Sequence, residues 1–284
     1  MESLLKIERK KYHKSLLESG VLTVDKGIPS NADKSSKLSV AIARGIAEKL
    51  MVETAQKAVG QTAGAKFENV NMEFLVNTFP RLQNLRPGVW HIIKLGNRNA
   101  LKVSSFSQYE HLAYLSSLTE NDAKLAACMG NDYMVSPDVV IYRDSIDDSE
   151  INRSQIIVDD DIAKMTCIRK KNGGLPILHA SVSAKWTMRS DRAQNSRTEA
   201  LGLIRNRKGN LPHIVVVTGE PLPGRLASLA LGTGDIDCMY HFALYELIEA
   251  VKATGSEDSI EVLDVLTQGK RLKDISDLPL DLAV

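Results

Sequence analysis

Cysteine is scarce in this chain: three in 284 residues, Cys128, Cys167 and Cys238, far apart and with no C-x-x-C spacing. That disfavours a disulfide framework or a structural zinc site and fits a reducing compartment, so a cytoplasmic protein is expected. Long apolar runs are missing too. No 18-residue stretch is free of charge, and the first 14 residues carry five Lys/Arg and no apolar segment, so neither a membrane span nor a secretory signal is expected. Excess charge of either sign is absent, with 36 Lys+Arg against 35 Asp+Glu. Non-specific phosphate affinity comes from excess positive charge, which argues against a histone-like or tail-driven nucleic-acid binder but leaves room for a local basic site. The six histidines show neither H-x-H nor H-x-x-x-H spacing, which disfavours a His-metal nuclease. No G-x-x-x-x-G-K-[ST] occurs and Gly232-Thr233-Gly234 lacks the later glycine of a dinucleotide fingerprint, so no nucleotide cofactor is indicated.

What is present is an ordinary globular composition, 43% hydrophobic and 25% charged, without repeats or low-complexity linkers, which predicts one domain over residues 1–284. The first quarter reads as helical: an N-terminal helix, a turn-rich loop at 27–36, a helix over 38–59 and another from about 62 to 79, stopped by Pro80. Beyond it, β-rich runs at 90–95, 138–142, 175–186 and 213–218 alternate with helical patterns at 106–127, 192–207 and 238–251. Strands separated by helices predict an α/β protein with a central mixed β-sheet flanked by helices.

The near-neutral total hides two opposed stretches. Residues 185–208 hold seven basic side chains against two acidic, and residues 144–161 hold seven acidic against one basic. A basic stretch alone is more often a solvated helix face than a binding site. Here it follows a strand on which Leu178, Ala180, Val182, Ala184 and Trp186 alternate with His179, Ser181, Ser183 and Lys185, so Lys185 shares the polar face at the strand's end. Thr187-Met188-Arg189-Ser190-Asp191-Arg192 comes next, a loop dense in bidentate donors with one carboxylate. Upstream, Pro137-Asp138 opens the strand Val139-Val140-Ile141-Tyr142. An aspartate at a strand start and a lysine in an x-K element form the metal-dependent nuclease pattern, in which carboxylates hold Mg²⁺ and the lysine orients water and offsets phosphate charge. Ser183 stands where that pattern wants an acid, and Glu199, on one helical face with Arg192, Ser196 and Leu203, is the replacement carboxylate to consider. Two other readings stay open on spacing alone: a Ser-Lys hydrolase using Ser183 and Lys185, and a sequence-specific DNA-binding protein that does not cut.

The run over 181–199, together with Pro137-Asp138, Ser30-Asn31-Ala32-Asp33, Gly60-Gln61-Thr62, Leu211-Pro212-His213, Ala230-Leu231-Gly232-Thr233-Gly234 and the tail 269–284, resembles the NgoMIV family of type II restriction endonucleases, in the CCGG-reading group, over nearly the whole chain. The resemblance implies a restriction-endonuclease-like (PD-(D/E)xK) core. It implies Asp138, Glu199 and the Ala184 carbonyl as metal ligands for Mg²⁺, Lys185 as the catalytic lysine, and Ser183 and Glu68 as supporting residues. Ala184 replaces the family's cysteine, where only a backbone oxygen is needed. The resemblance further implies that Arg189, Asp191 and Arg192, with Ser190 in the same DNA-binding loop, read the inner CCGG in the major groove. Arginine bidentate to guanine and aspartate accepting from cytosine agree with that. Asp33 and Arg225 would read the outer pair and Gln61 the minor groove, giving the target GCCGGC cut after the first G. A palindrome calls for a homodimer, and the resemblance implies that two dimers join as a homotetramer on two copies of double-stranded DNA.

Overall fold

The computed structural model describes residues 2–51, 60–95, 103–119, 137–232 and 234–284. The N-terminal helix α1 (Leu4–Glu18) leads through a two-stranded ribbon, β1 (Val24–Asp25) with β2 (Ile28–Pro29), into α2 (Lys37–Lys49). Ser36 caps α2 by accepting the Ser39 N–H at 3.2 Å. Helix α3 (Gly60–Thr78) ends two residues before Pro80, which sits in the 3-10 turn that follows, in keeping with a breaker there. Then come β3 (Trp90–Lys94), α4 (Glu110–Thr119), β4 (Val139–Arg143), the single turn α5 (Asp148–Ile151), β5 (Ile177–Lys185) and α6 (Ser190–Asn206). The chain closes with β6 (His213–Thr218), α7 (Pro223–Ala230), β7 (Cys238–His241), α8 (Leu244–Thr254), α9 (Glu257–Gln268), β8 (Leu272–Asp274) and α10 (Leu278–Asp281).

The main sheet has six strands in the order β3-β4-β5-β6-β7-β8. The first three pair antiparallel and the last three continue from β5 in parallel, so the sheet is mixed and the α/β expectation holds. Parallel neighbours need crossovers, which α6, α7 and the α8–α9 pair supply. β5 lies inside the sheet and is buried from Leu178 to Ala184, on both alternating faces. Its supposed polar face is therefore not a solvent face: His179 stacks on Phe79, its Nε2 lies 2.7 Å from the Leu282 carbonyl, and burial pulls its pKa down to about 4.

The segment expected as a helix over 238–251 opens with a strand. Cys238–His241 pairs in parallel with β6, and the helix begins at Leu244. A short strand buried on both faces shows no alternation, so its apolar run reads like the helix that follows. Of the helix expected over 38–59, Lys37–Lys49 forms α2 and 52–59 lie outside the described residues, as do 120–127 of the helix expected over 106–127. No helix among the described residues is long and apolar enough to cross a membrane.

Candidate active site and DNA-reading loops

β4 begins one residue after Asp138, and its pairing with β5 starts at Val139 opposite Val182. Asp138 is thus placed beside the end of β5, its carbonyl accepting the Leu95 N–H at 3.1 Å on the β3 side. Its Oδ2 accepts the Ala184 N–H at 2.8 Å and the Lys185 ammonium at 2.7 Å. Both bonds fall on one oxygen. A residue's N–H and C=O point to the same edge of a strand, so the Ala184 carbonyl also faces the side where β4 has ended, while the Lys185 carbonyl turns toward β6 and accepts the Thr218 hydroxyl at 2.7 Å.

Glu199 arrives from α6, two turns along from Arg192. Ser183 Oγ lies 3.5 Å from Glu199 Oε2 and 3.3 Å from Ser196 Oγ, so the serine bridges strand and helix beneath the carboxylate. Burial pushes the Glu199 carboxyl above its ordinary value; Lys185 opposes that shift and the Asp138 charge adds to it. Glu68 of α3, which lines the same cleft, pairs with Lys94 of β3 at 2.7 Å.

These groups open onto one cleft of about 700 Å³, lined among others by Glu68, Asp138, Ala184, Lys185 and Glu199, and by Asp33, Arg189, Arg192 and Arg225. The catalytic and base-reading residues expected from the sequence therefore converge. Ser183 lies just beneath, 7% exposed, and Asp191 is exposed at the start of α6 without lining the cleft. The side chains of Gln61 and Ser190 are outside the described residues, although both positions begin helices.

The expected readers are held by neighbours. Arg192 Nη1 donates to Thr187 Oγ1 at 2.7 Å. Arg225 pairs with Asp33, whose carboxyl is kept well below the carboxylate range, first by the Ser35 hydroxyl and then by the Arg225 guanidinium. The chain's local basic stretch supplies Lys185, Arg189 and Arg192 to the cleft. A Ser-Lys hydrolase is not what this geometry favours, because the Lys185 ammonium is engaged by Asp138 and Ser183 contacts Ser196 and Glu199 instead.

The NgoMIV restriction enzyme family model matches residues 12–284. The chain is also 50% identical over 286 residues to a type II restriction enzyme, NgoMIV of Neisseria gonorrhoeae, covering 100% of both sequences. The chain belongs to the NgoMIV restriction enzyme family. It is accordingly a type II restriction endonuclease, a site-specific deoxyribonuclease, and its partner is double-stranded DNA.

Three further residues of this NgoMIV-family chain, two lining the cleft and one buried behind it, were missed by sequence reasoning. Lys94 pairs with Glu68, Thr187 restrains Arg192, and Glu220 accepts the Met188 N–H at 2.8 Å. Lys94 ends a strand that was legible and Thr187 stands inside the quoted loop, so position alone marked them. Nothing in Thr218-Gly219-Glu220-Pro221 does the same for Glu220.

Proposed function

We propose that this chain hydrolyses phosphodiester bonds in double-stranded DNA at GCCGGC, in a Mg²⁺-dependent reaction that cuts after the first G and leaves a 5′ overhang. The observation that carries the reading is the junction of Asp138, Lys185 and the Ala184 main chain beside Glu199, in the same cleft as Arg189 and Arg192. The donors are all oxygen, two carboxylates and one main-chain carbonyl, which suits a hard cation that keeps several waters. They are harder donors than the His and Cys ligands that zinc takes. Asp138, Glu199 and the Ala184 carbonyl would hold Mg²⁺, which when bound stabilises charge on the phosphate oxygens.

Lys185 is fixed by Asp138 so that its ammonium faces the cleft, where it offsets charge gathering on the scissile phosphate and orients water. Ser183 steadies Glu199 from below, and Glu68 paired with Lys94 lines the same cleft. Arg189, Ser190, Asp191 and Arg192 read the inner CCGG, Asp33 and Arg225 the outer pair, and Gln61 the minor groove. The low pKa of Asp33 supports its part, since an ionised carboxylate accepts from cytosine N4.

A palindrome read by one surface calls for a homodimer, and two such dimers form a homotetramer in this reading. Exposed Ile156, Ile162 and Met165, on a segment pinned by the buried Arg169, supply apolar surface in support of self-association. The continuous core from Tyr12 to Leu282 supports one domain over 1–284, and the two unpaired cysteines among the described residues, Cys167 and Cys238, support a cytoplasmic setting.

The test is a plasmid bearing GCCGGC, incubated with and without Mg²⁺, with the ends of the products mapped. Linear product with ends after the first G, only in Mg²⁺, is expected. Specific retention of the plasmid without cutting would favour a DNA-binding protein instead.

A further inference from the structure

Glu220 follows the last residues of β6 and is 1% exposed. Its two oxygens take three partners from two different segments. Oε2 accepts the Met188 N–H at 2.8 Å, Oε1 accepts the Leu222 N–H at 3.2 Å, and Arg225 Nη1 lies 3.7 Å from Oε2. Met188 immediately precedes Arg189, and Leu222 caps the helix that carries Arg225.

The adjoining residue binds a third segment. The Gly219 carbonyl accepts from the Asn31 side chain at 2.8 Å, two residues before Asp33. A Cβ at Gly219 would come within 2.5 Å of the Trp186 ring and 2.8 Å of its carbonyl oxygen, so only glycine lets the two backbones approach this closely. Loops that carry base-reading residues from three parts of the sequence thus meet at Gly219-Glu220.

We propose that Glu220 is a positioning residue that sets the register of the inner base-reading loop, residues 187–192, against the outer pair of readers, Asp33 and Arg225. This rests on reading those loops as the DNA readers. A carboxylate suits the position because every partner is a donor: two main-chain N–H groups and a guanidinium. Glutamine has the same shape but one acceptor oxygen, so its amide NH₂ must face a donor on one of the two arms. Burial raises the Glu220 carboxyl, against the lowering effect of the Met188 and Leu222 hydrogen bonds, which is the cost of keeping this group inside.

The experiment measures kcat/KM of the full-length enzyme on duplexes carrying GCCGGC, ACCGGT (outer pair changed) and GACGTC (inner pair changed), for wild type, E220Q, E220D, R192A and R225A. R225A is expected to lower the outer discrimination ratio alone and R192A the inner ratio alone. E220Q is expected to lower both together, by about tenfold each, the scale of removing one charge-assisted hydrogen bond. E220D keeps the charge but shortens the reach, so it moves both ratios the same way, and it decides the matter by the same criterion if E220Q does not fold. A Glu220 that merely stabilises the loop would slow cutting of all three duplexes in proportion and leave the ratios unchanged, which overturns the inference. If R192A and R225A move neither ratio, the reading of the loops fails, and this inference fails with it.

Discussion

Asp138 receives both the Ala184 N–H and the Lys185 ammonium, so one carboxylate organises the strand end and the lysine together. If Asp138 holds the cation as proposed, Asp138→Ala should lower cleavage by roughly 10²-fold or more, since a direct cation ligand matters at least as much as the outer partners of one. Site-specific binding should survive or tighten, because a charge that repels phosphate is gone; titration of the GCCGGC duplex in Ca²⁺ checks this, and loss of specific binding would assign Asp138 a structural role instead. Arg192→Ala should cost about 1–3 kcal/mol of discrimination at an inner guanine. Competition between GCCGGC and inner-substituted duplexes measures it, and equal weakening toward every sequence would make Arg192 a phosphate contact. What was legible at this scale was local. Ser183, Lys185, Arg189 and Arg192 stand within ten residues of one another, so strand alternation and loop composition expose them. Glu68, Asp33 and Arg225 reach the cleft only through tertiary folding, and only resemblance to the family pointed to them. Glu220 had neither signal: a lone glutamate after a strand looks like a turn residue until its two N–H donors and the nearby Arg225 guanidinium are seen.

Between elements, one cluster closes the far end of the sheet. Arg9 of α1 donates to both Asp274 oxygens, at 2.8 and 2.9 Å, and to both Glu246 oxygens, at 2.9 and 2.6 Å, tying the first helix to β8 and α8. Asp274 is fully buried and also accepts the Leu244 N–H at 3.0 Å. Burial raises the Asp274 carboxyl, but the Arg9 hydrogen bonds outweigh it and the net shift is downward. Arg9→Ala should therefore destabilise the fold by about 3–5 kcal/mol at neutral pH, because it strands a buried carboxylate. The pH dependence follows from the sign of the shift: a depressed folded-state pKa gives stability that is present above the ordinary aspartate value and lost as pH falls through the lower folded value. The gap between wild type and Arg9→Ala in urea unfolding should be widest near neutrality and shrink in acid, where the variant's Asp274 is protonated. A gap independent of pH would mean that Arg9 acts through packing alone. No sequence pattern announces this cluster, since its members lie 237 and 265 residues from Arg9. The strands were legible wherever β-branched runs were long, as in His213–Thr218, and illegible where β7 and β8 are short and wholly or largely buried.

For the molecule as a whole, a net charge of +1 is a cancellation with a spatial meaning. The basic stretch lines the cleft through Lys185, Arg189 and Arg192, whereas the acidic stretch is largely neutralised where it stands, Asp148 by Arg169 at 2.6 Å and Asp160 by Lys171. The cleft thus gathers Lys185, Arg189, Arg192 and Arg225 beside its carboxylates Asp33, Glu68, Asp138 and Glu199, so the expected reading site presents directed donors rather than a broadly adhesive surface, which favours discrimination over non-specific affinity. The assembly extends the same logic. If two dimers act together on two copies of the site, a plasmid with a single GCCGGC should be cut more slowly than one with two, because the second copy must come from another molecule at a far lower effective concentration. Adding a short GCCGGC duplex in trans should then accelerate cutting of the one-site plasmid, pass through an optimum, and leave the two-site plasmid nearly unaffected at low concentration. Sedimentation of the free enzyme should report a mass near four times 31.2 kDa. Equal rates on both plasmids, no stimulation by the duplex and a mass of two chains would together reduce the active species to a dimer, with each cleft pair working on one palindrome.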